Sequence, residues 1–475
     1  MPEVKAMSRA IINRAYFEPP FASKNELAAP QKHNCCMKAL RSLQITAFMA
    51  LWAIALPAQQ KPIDLHQASH FFAEMKAASD RDAGRLWGHR LYGPMLFVDP
   101  ETRFAVANQQ DRENKLTAQG DVFTGTVPPE LGVANTAVDW AGITWTMILW
   151  PLPEYRWERT SLMAHECFHR IQPALGIQPK GDILNGQLDA RDGRIWLQLE
   201  FRALASALWS TGVERTRAIA DALYFRAYRR SLFPGSAERE NALEINEGLA
   251  EYTGVTIASR SNGEAMSRDE TALQLAPQKR SFVRSFAYIT GPAYGFLLDQ
   301  SGQPWRPKIR ANSDLSQLLA VAYHISVPPV TNAGALRREQ AYNGDEIITL
   351  ENDRAELREK AIADAKARLI DGPVLILPLG PNVQYTFNPN ALMAIDDNTT
   401  VYPSTQITDE WGVLQVDNGA LLVRDKGHLV RAQVPAPKDA DSREGDGWKL
   451  DLKPGWKLEP GQRSGDWAVV KKPNN

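Results

Sequence analysis

The chain has 475 residues, of which 44% are hydrophobic and 23% charged. These are the proportions of a globular protein, at a length that suggests two or three domains. The 54 Lys+Arg nearly cancel the 55 Asp+Glu, for a net charge of -1, which argues against the basic face of a nucleic-acid binder. Three cysteines are too few for a disulfide framework.

In chain order, residues 1–36 show no clear period and read as an upstream extension. Met37-Lys38-Ala39-Leu40-Arg41 then leads into an apolar run from Ile45 to Leu56, with small residues up to Ala58. A basic start, a short apolar stretch and a small-residue end describe a signal peptide over 37–58. The run is too short for a transmembrane helix, which needs about 20 residues. Translation is therefore expected to start at Met37, and the product to be periplasmic or extracellular. Residues 1–58 hold seven basic and three acidic residues; the remainder has 47 and 52, a net charge of -5, and a single cysteine, Cys167.

Residues 64–85 have apolar positions at helical spacing. From 91 to about 152 the texture is β-branched and aromatic, in MLFVD, RFAVAN, DVFTGTV and GITWTMILW, with Pro and Gly between. Helices are expected at 160–175, 188–211, 214–232, 237–259, 281–299 and 313–323. A further helical stretch spans about 334–370, with a break near Asn343-Gly344. After Asp371-Gly372-Pro373, short strands recur every 8–12 residues, as in a small sandwich or barrel. The eight-residue repeat GWKLDLKP-GWKLEPG reads as a strand, a Pro-Gly turn and a second strand.

The helix at 160–175 contains His165-Glu166-Cys167-Phe168-His169, an H-E-x-x-H pattern. Residues four apart share a helical face, so His165 and His169 can bind one Zn²⁺. Glu166 sits one step round, where its carboxylate can act as general base on a water. Cys167 projects away from that face and reads as a small buried hydrophobe. Glu200 and Glu244 are acidic candidates for a third ligand. Glu200 lies among apolar neighbours, where a carboxylate needs a metal or a cation such as Arg202 or Arg226.

The motif helix resembles the active-site helix of the zincin-fold zinc metallopeptidases. Downstream, Asn246-Glu247-Gly248-Leu249-Ala250-Glu251-Tyr252 resembles the N-E-G-x-A-x-Y form of the gluzincin branch. The resemblance covers about 165–252. It implies Glu247 as third zinc ligand and Glu251 as a carboxylate that holds a ligand histidine in its tautomer. It also implies an edge strand over the metal. GITWTMILW is read either as that strand or as an interior strand beneath the helices. A group opposite the metal is needed to stabilise an oxyanion; Tyr288 and Tyr294 are the candidates, with Tyr323-His324 behind them. Arg284 is read as either a substrate-carboxylate contact or a surface residue. No G-x-M-E-N signature precedes residue 165, which disfavours aminopeptidase action.

The expected fold is α+β: a zincin-like catalytic domain, strand-rich over 59–155 and helical over 156–330, a helical connector at 331–371, and an all-β, sandwich-like domain at 372–475. The expected function is an exported zinc metallopeptidase acting on a peptide or protein substrate, with no nucleic-acid partner and no membrane span after signal cleavage. Two alternatives stand beside it: a non-catalytic zincin-like binding protein, and a zinc hydrolase acting on a non-peptide bond.

Overall fold

The computed structural model describes residues 62–178, 185–387, 392–396 and 398–473. The expected extension and signal peptide lie outside these residues. The architecture is mixed α+β: a strand-rich N-terminal part, a helical middle and a C-terminal β region.

Helix α1 (Leu65–Asp82) is capped by Asp64, whose side chain accepts the Gln67 amide. Six strands follow: β1 (Met95–Val98), β2 (Phe104–Ala107), β3 (Thr117–Gln119), β4 (Val122–Thr126), β5 (Thr136–Trp140) and β6 (Ile143–Leu149). They form one sheet in the order β3-β4-β2-β1-β6-β5. Met95, Phe97 and Ile148 face the main helical core, whereas Leu96, Val98, Trp145 and Met147 build a second core on the opposite face. Both faces of β1 and β6 are therefore covered, which explains their nearly continuous apolar sequence. β6 pairs with β1 on one side and β5 on the other, so GITWTMILW is interior. The edge belongs to β5, antiparallel to β6 and lying against the motif helix.

That helix is α2 (Arg156–Leu175). Pro173 lies inside its last turn, and Gly176, at φ +67°, closes it in the left-handed conformation. The helical middle continues with α3 (Arg191–Trp209), α4 (Gly212–Leu232), α5 (Ser236–Leu243), α6 (Leu249–Ala258), α7 (Asn262–Leu275), α8 (Ala287–Gln300) and α9 (Leu315–Ala322). The expected 237–259 helix is split: Glu244–Gly248 form a π-helical turn between α5 and α6, with the Leu249 amide bonded to the Glu244 carbonyl. The expectation missed α7, whose cap is Ser261 accepting the Glu264 amide. The expected 281–299 helix starts later, at Ala287, after a bend.

α10 (Asn332–Glu339) and α11 (Gly344–Lys366) pack back onto the helical middle. α11 is tied to α3 by a buried pair, Arg194 Nε to Glu351 Oε2 at 2.8 Å.

The C-terminal strands are β7 (Val374–Pro378), β8 (Gln384–Phe387), β9 (Met393–Ala394), β10 (Thr399–Tyr402), β11 (Thr405–Asp409), β12 (Gly412–Val416), β13 (Ala420–Asp425), β14 (His428–Pro435), β15 (Glu444–Gly445), β16 (Trp448–Leu452), β17 (Trp456–Pro460) and β18 (Trp467–Lys471). They make two sheets, β17-β18-β7-β14-β13-β10-β9 and β15-β16-β12-β11-β8, which share one apolar core. The sequence repeat falls on β16 and β17, but these do not pair with each other. Its Pro-Gly turn carries the chain from one sheet to the other.

Candidate metal centre

α2 is buried on almost every side, and His165, Glu166, Cys167 and Phe168 are each at most 1% exposed. Spacing by four places the two imidazoles on one face, with their Nε2 atoms 3.2 Å apart. The third member arrives from the π turn. Glu247 Oε2 lies 3.5 Å from His165 Nε2 and 3.6 Å from His169 Nε2. Among the described residues, His165, His169 and Glu247 form the group whose ligand atoms are close enough to hold a metal ion.

The outward nitrogens explain how the rings are aimed. His165 Nδ1 is 2.9 Å from Glu251 Oε2, so a carboxylate accepts its proton. His169 Nδ1 is 2.8 Å from Gln172 Oε1. The amide of Gln172 is oriented by its own NH₂, which donates to the Ile245 and Asn246 carbonyls. Its oxygen is thus the atom that faces His169. With Nδ1 donating on the far side of both rings, the Nε2 lone pairs converge with Glu247 Oε2, as ligation requires. Gln172 was not foreseen; its signal is a Gln three residues after His169, on the next turn of the same face.

The electrostatics favour a cation. Burial opposes charge on His165, but Glu247 and Glu251, with the nearby charge of Glu166, outweigh it and raise its pKa to about 9. A proton or a metal ion can supply the positive charge this surrounding favours. The donor set, two imidazole nitrogens and one carboxylate oxygen, leaves a position open on a four-coordinate metal.

Glycines let the helices approach. A Cβ on Gly291 would lie 2.3 Å from the Gly248 Cα, so α8 crosses the π turn with backbone against backbone. A Cβ on Gly254 would lie 2.7 Å from the Ser161 carbonyl, where α6 meets α2. The first contact brings Tyr288 to Glu247 and the second brings Glu251 to His165. The Tyr288 hydroxyl donates to Glu247 Oε2 at 2.5 Å. Its ring lies parallel to that of His165, 5.7 Å between centroids. Arg284, in the bend before α8, donates to Glu247 Oε1 at 3.1 Å.

Other candidates sit elsewhere. Glu200 is not at the centre; it accepts Arg226 Nε at 2.7 Å and Arg229 Nη1 at 2.5 Å. Burial alone would raise its carboxyl, but Arg226 and Arg229 hold it below the usual range. Of its two expected partners, Arg226 is the real one; Arg202 reaches Glu346 instead. Tyr294 is fully buried, donates to Glu200 Oε1 at 3.0 Å and lies under the Arg226 guanidinium. Six residues separate it from Tyr288, which at 3.6 residues per turn puts the two about 120° apart on α8. Only Tyr288 can face the centre. Glu244 also leaves the Glu247 face, because the wider π turn rotates it toward Arg226 and Thr290. Tyr323 donates to the Leu297 carbonyl. Cys167 is fully buried, and burial pushes its thiol up to about 11.

Fold and site together define a mixed α+β protein with a His₂Glu group that can hold a metal ion. Compared with known protein families, curated proteins and solved structures, the chain matches none of them.

Proposed function

We propose that this protein is an exported zinc metallopeptidase of the zincin type, gluzincin-like, that hydrolyses peptide bonds of a peptide or protein substrate. The observation that carries the reading is the convergence of His165 Nε2, His169 Nε2 and Glu247 Oε2, with Glu251 and Gln172 behind the two rings. Two imidazoles and a carboxylate are a recurrent set for catalytic zinc. A zinc ion held there would polarise a scissile carbonyl and acidify a water molecule.

The protein's own groups have separate roles in this reading. His165, His169 and Glu247 hold the ion. Glu166, next to His165 and fully buried, takes the proton of the attacking water and delivers it to the leaving amine. Tyr288, whose hydroxyl lies beside the site and donates to Glu247 Oε2, would turn that one proton to the developing oxyanion. Strand β5 offers an antiparallel edge beside α2, on which an extended substrate can add as a further strand. No nucleic-acid partner enters this reading. No described helix is long and apolar enough to cross a membrane.

A peptide-library cleavage assay, with and without a chelator, tests the proposal. Cleavage that is lost with chelator and restored by zinc is expected. Stoichiometric zinc without cleavage of any peptide would favour a binding protein or a hydrolase of another bond.

A further inference from the structure

Glu247 presents its two oxygens to different neighbours. Oε2 faces both imidazole Nε2 atoms, at 3.5 and 3.6 Å, and accepts the Tyr288 hydroxyl with one of its two lone pairs, which leaves the other for a metal. Oε1 accepts Arg284 Nη2 at 3.1 Å and Asn246 Nδ2 at 3.3 Å. A carboxylate oxygen has two lone-pair sites, so these donors engage both on Oε1. The Arg284 bond is charge-assisted, which makes it the stronger of the two.

Arg284 is itself held in place. Two residues before it, the Phe282 amide donates to Asp189 Oδ1 at 2.7 Å. Phe282 and Phe286, on either side, are fully buried. The guanidinium is therefore presented from an anchored bend, while its side chain stays 37% exposed.

We propose that Arg284 is a positioning residue that restricts Glu247 to one donor oxygen, Oε2, and thereby favours a four-coordinate zinc over metals that take more oxygen ligands. The proposal rests on the reading of His165, His169 and Glu247 as a zinc site. Two-oxygen ligation by Glu247 would require Oε1 to give up one of its hydrogen bonds, and the charge-assisted bond to Arg284 is what most strongly holds Oε1 in its present place. Zinc is satisfied by four ligands, whereas harder cations gain from each added oxygen. Without Arg284, Oε1 loses its charge-assisted bond and can join Oε2 on the metal, so both metal preference and coordination number change.

The test compares the full-length protein with Arg284→Met, and with Arg284→Gln, which keeps an N–H donor and loses the charge. Zinc affinity is read by competition with a chromophoric chelator. Coordination is read from the visible absorption of the Co²⁺-loaded protein, which is strong for four-coordinate cobalt and weak at higher coordination. Arg284→Met is expected to bind zinc roughly 10–100-fold more weakly and to show weaker cobalt absorption, with Arg284→Gln shifted the same way. Zinc affinity within twofold of the parent overturns the proposal. So does weaker zinc with an unchanged cobalt spectrum, which would mean that Arg284 orients Glu247 without limiting the number of its ligating oxygens. Should one variant not fold, the other decides by the same two readouts. A parent protein that binds no zinc overturns the site reading itself, a distinct result.

Discussion

Glu251 accepts from His165 Nδ1 at 2.9 Å, across 86 residues of chain. The bond joins α6 to α2 where Gly254 lets the two helices touch. It sets which nitrogen of the ring carries the proton and which one faces the metal site.

Glu251→Ala should therefore weaken zinc binding by roughly 10–100-fold while leaving all three ligands in place. Chelator competition measures it. Unchanged affinity would show that His165 is held by packing alone.

Glu166→Gln should retain one zinc per chain and lose peptide cleavage by at least about 100-fold, because it removes the base and no ligand. Elemental analysis and the cleavage assay together check it. Full activity in this variant would rule out Glu166 as the base.

Glu247→Ala and Glu200→Gln should separate cleanly. The first is expected to lose zinc. The second leaves the centre intact but leaves Arg226 and Arg229 short of a charge partner in a fully buried network. Breaking such a pair typically costs about 3–5 kcal/mol. Urea denaturation of both variants, with zinc content measured on the folded protein, distinguishes the two roles.

The same network predicts an acid limit. Burial opposes the charged forms of Glu200, Glu240 and Asp314, but Arg226, Arg229 and Arg230 outweigh it and lower all three, Glu240 to about 2 from 4.5. In the unfolded chain these carboxyls take up protons at higher pH than in the folded one. Their stabilisation is complete above pH of about 4.5 and is lost as pH falls toward about 2. Denaturant midpoints measured on the chelated protein should fall over that window, and Glu240→Gln should flatten the fall.

The sequence determined the elements that depend on local spacing. His165 and His169 share a face because four residues make about one helical turn, and Glu166 follows with no further information. The strand-rich texture over 91–152 and the end of the motif helix near 175 were legible for the same reason. Which acid meets the histidines was not. Glu200, Glu244 and Glu247 all lie on helical segments, and an interior arginine network claims the first two. The π turn that separates Glu244 from Glu247 has no residue signature; it places Glu247 opposite α2 while Glu244 bonds Arg226.

Tertiary structure also chose between Tyr288 and Tyr294, whose spacing forbids both from facing one site. It placed GITWTMILW inside the sheet and gave the edge to β5. It turned the Gln172 amide oxygen toward His169 through the Ile245 and Asn246 carbonyls and brought Arg284 onto Glu247. The physical reason is common to all of these. A helix or strand sets the directions of its own side chains by its period. What each direction meets depends on how closely two backbones can approach, and for the helices around the centre glycines at 248, 254 and 291 permit that approach.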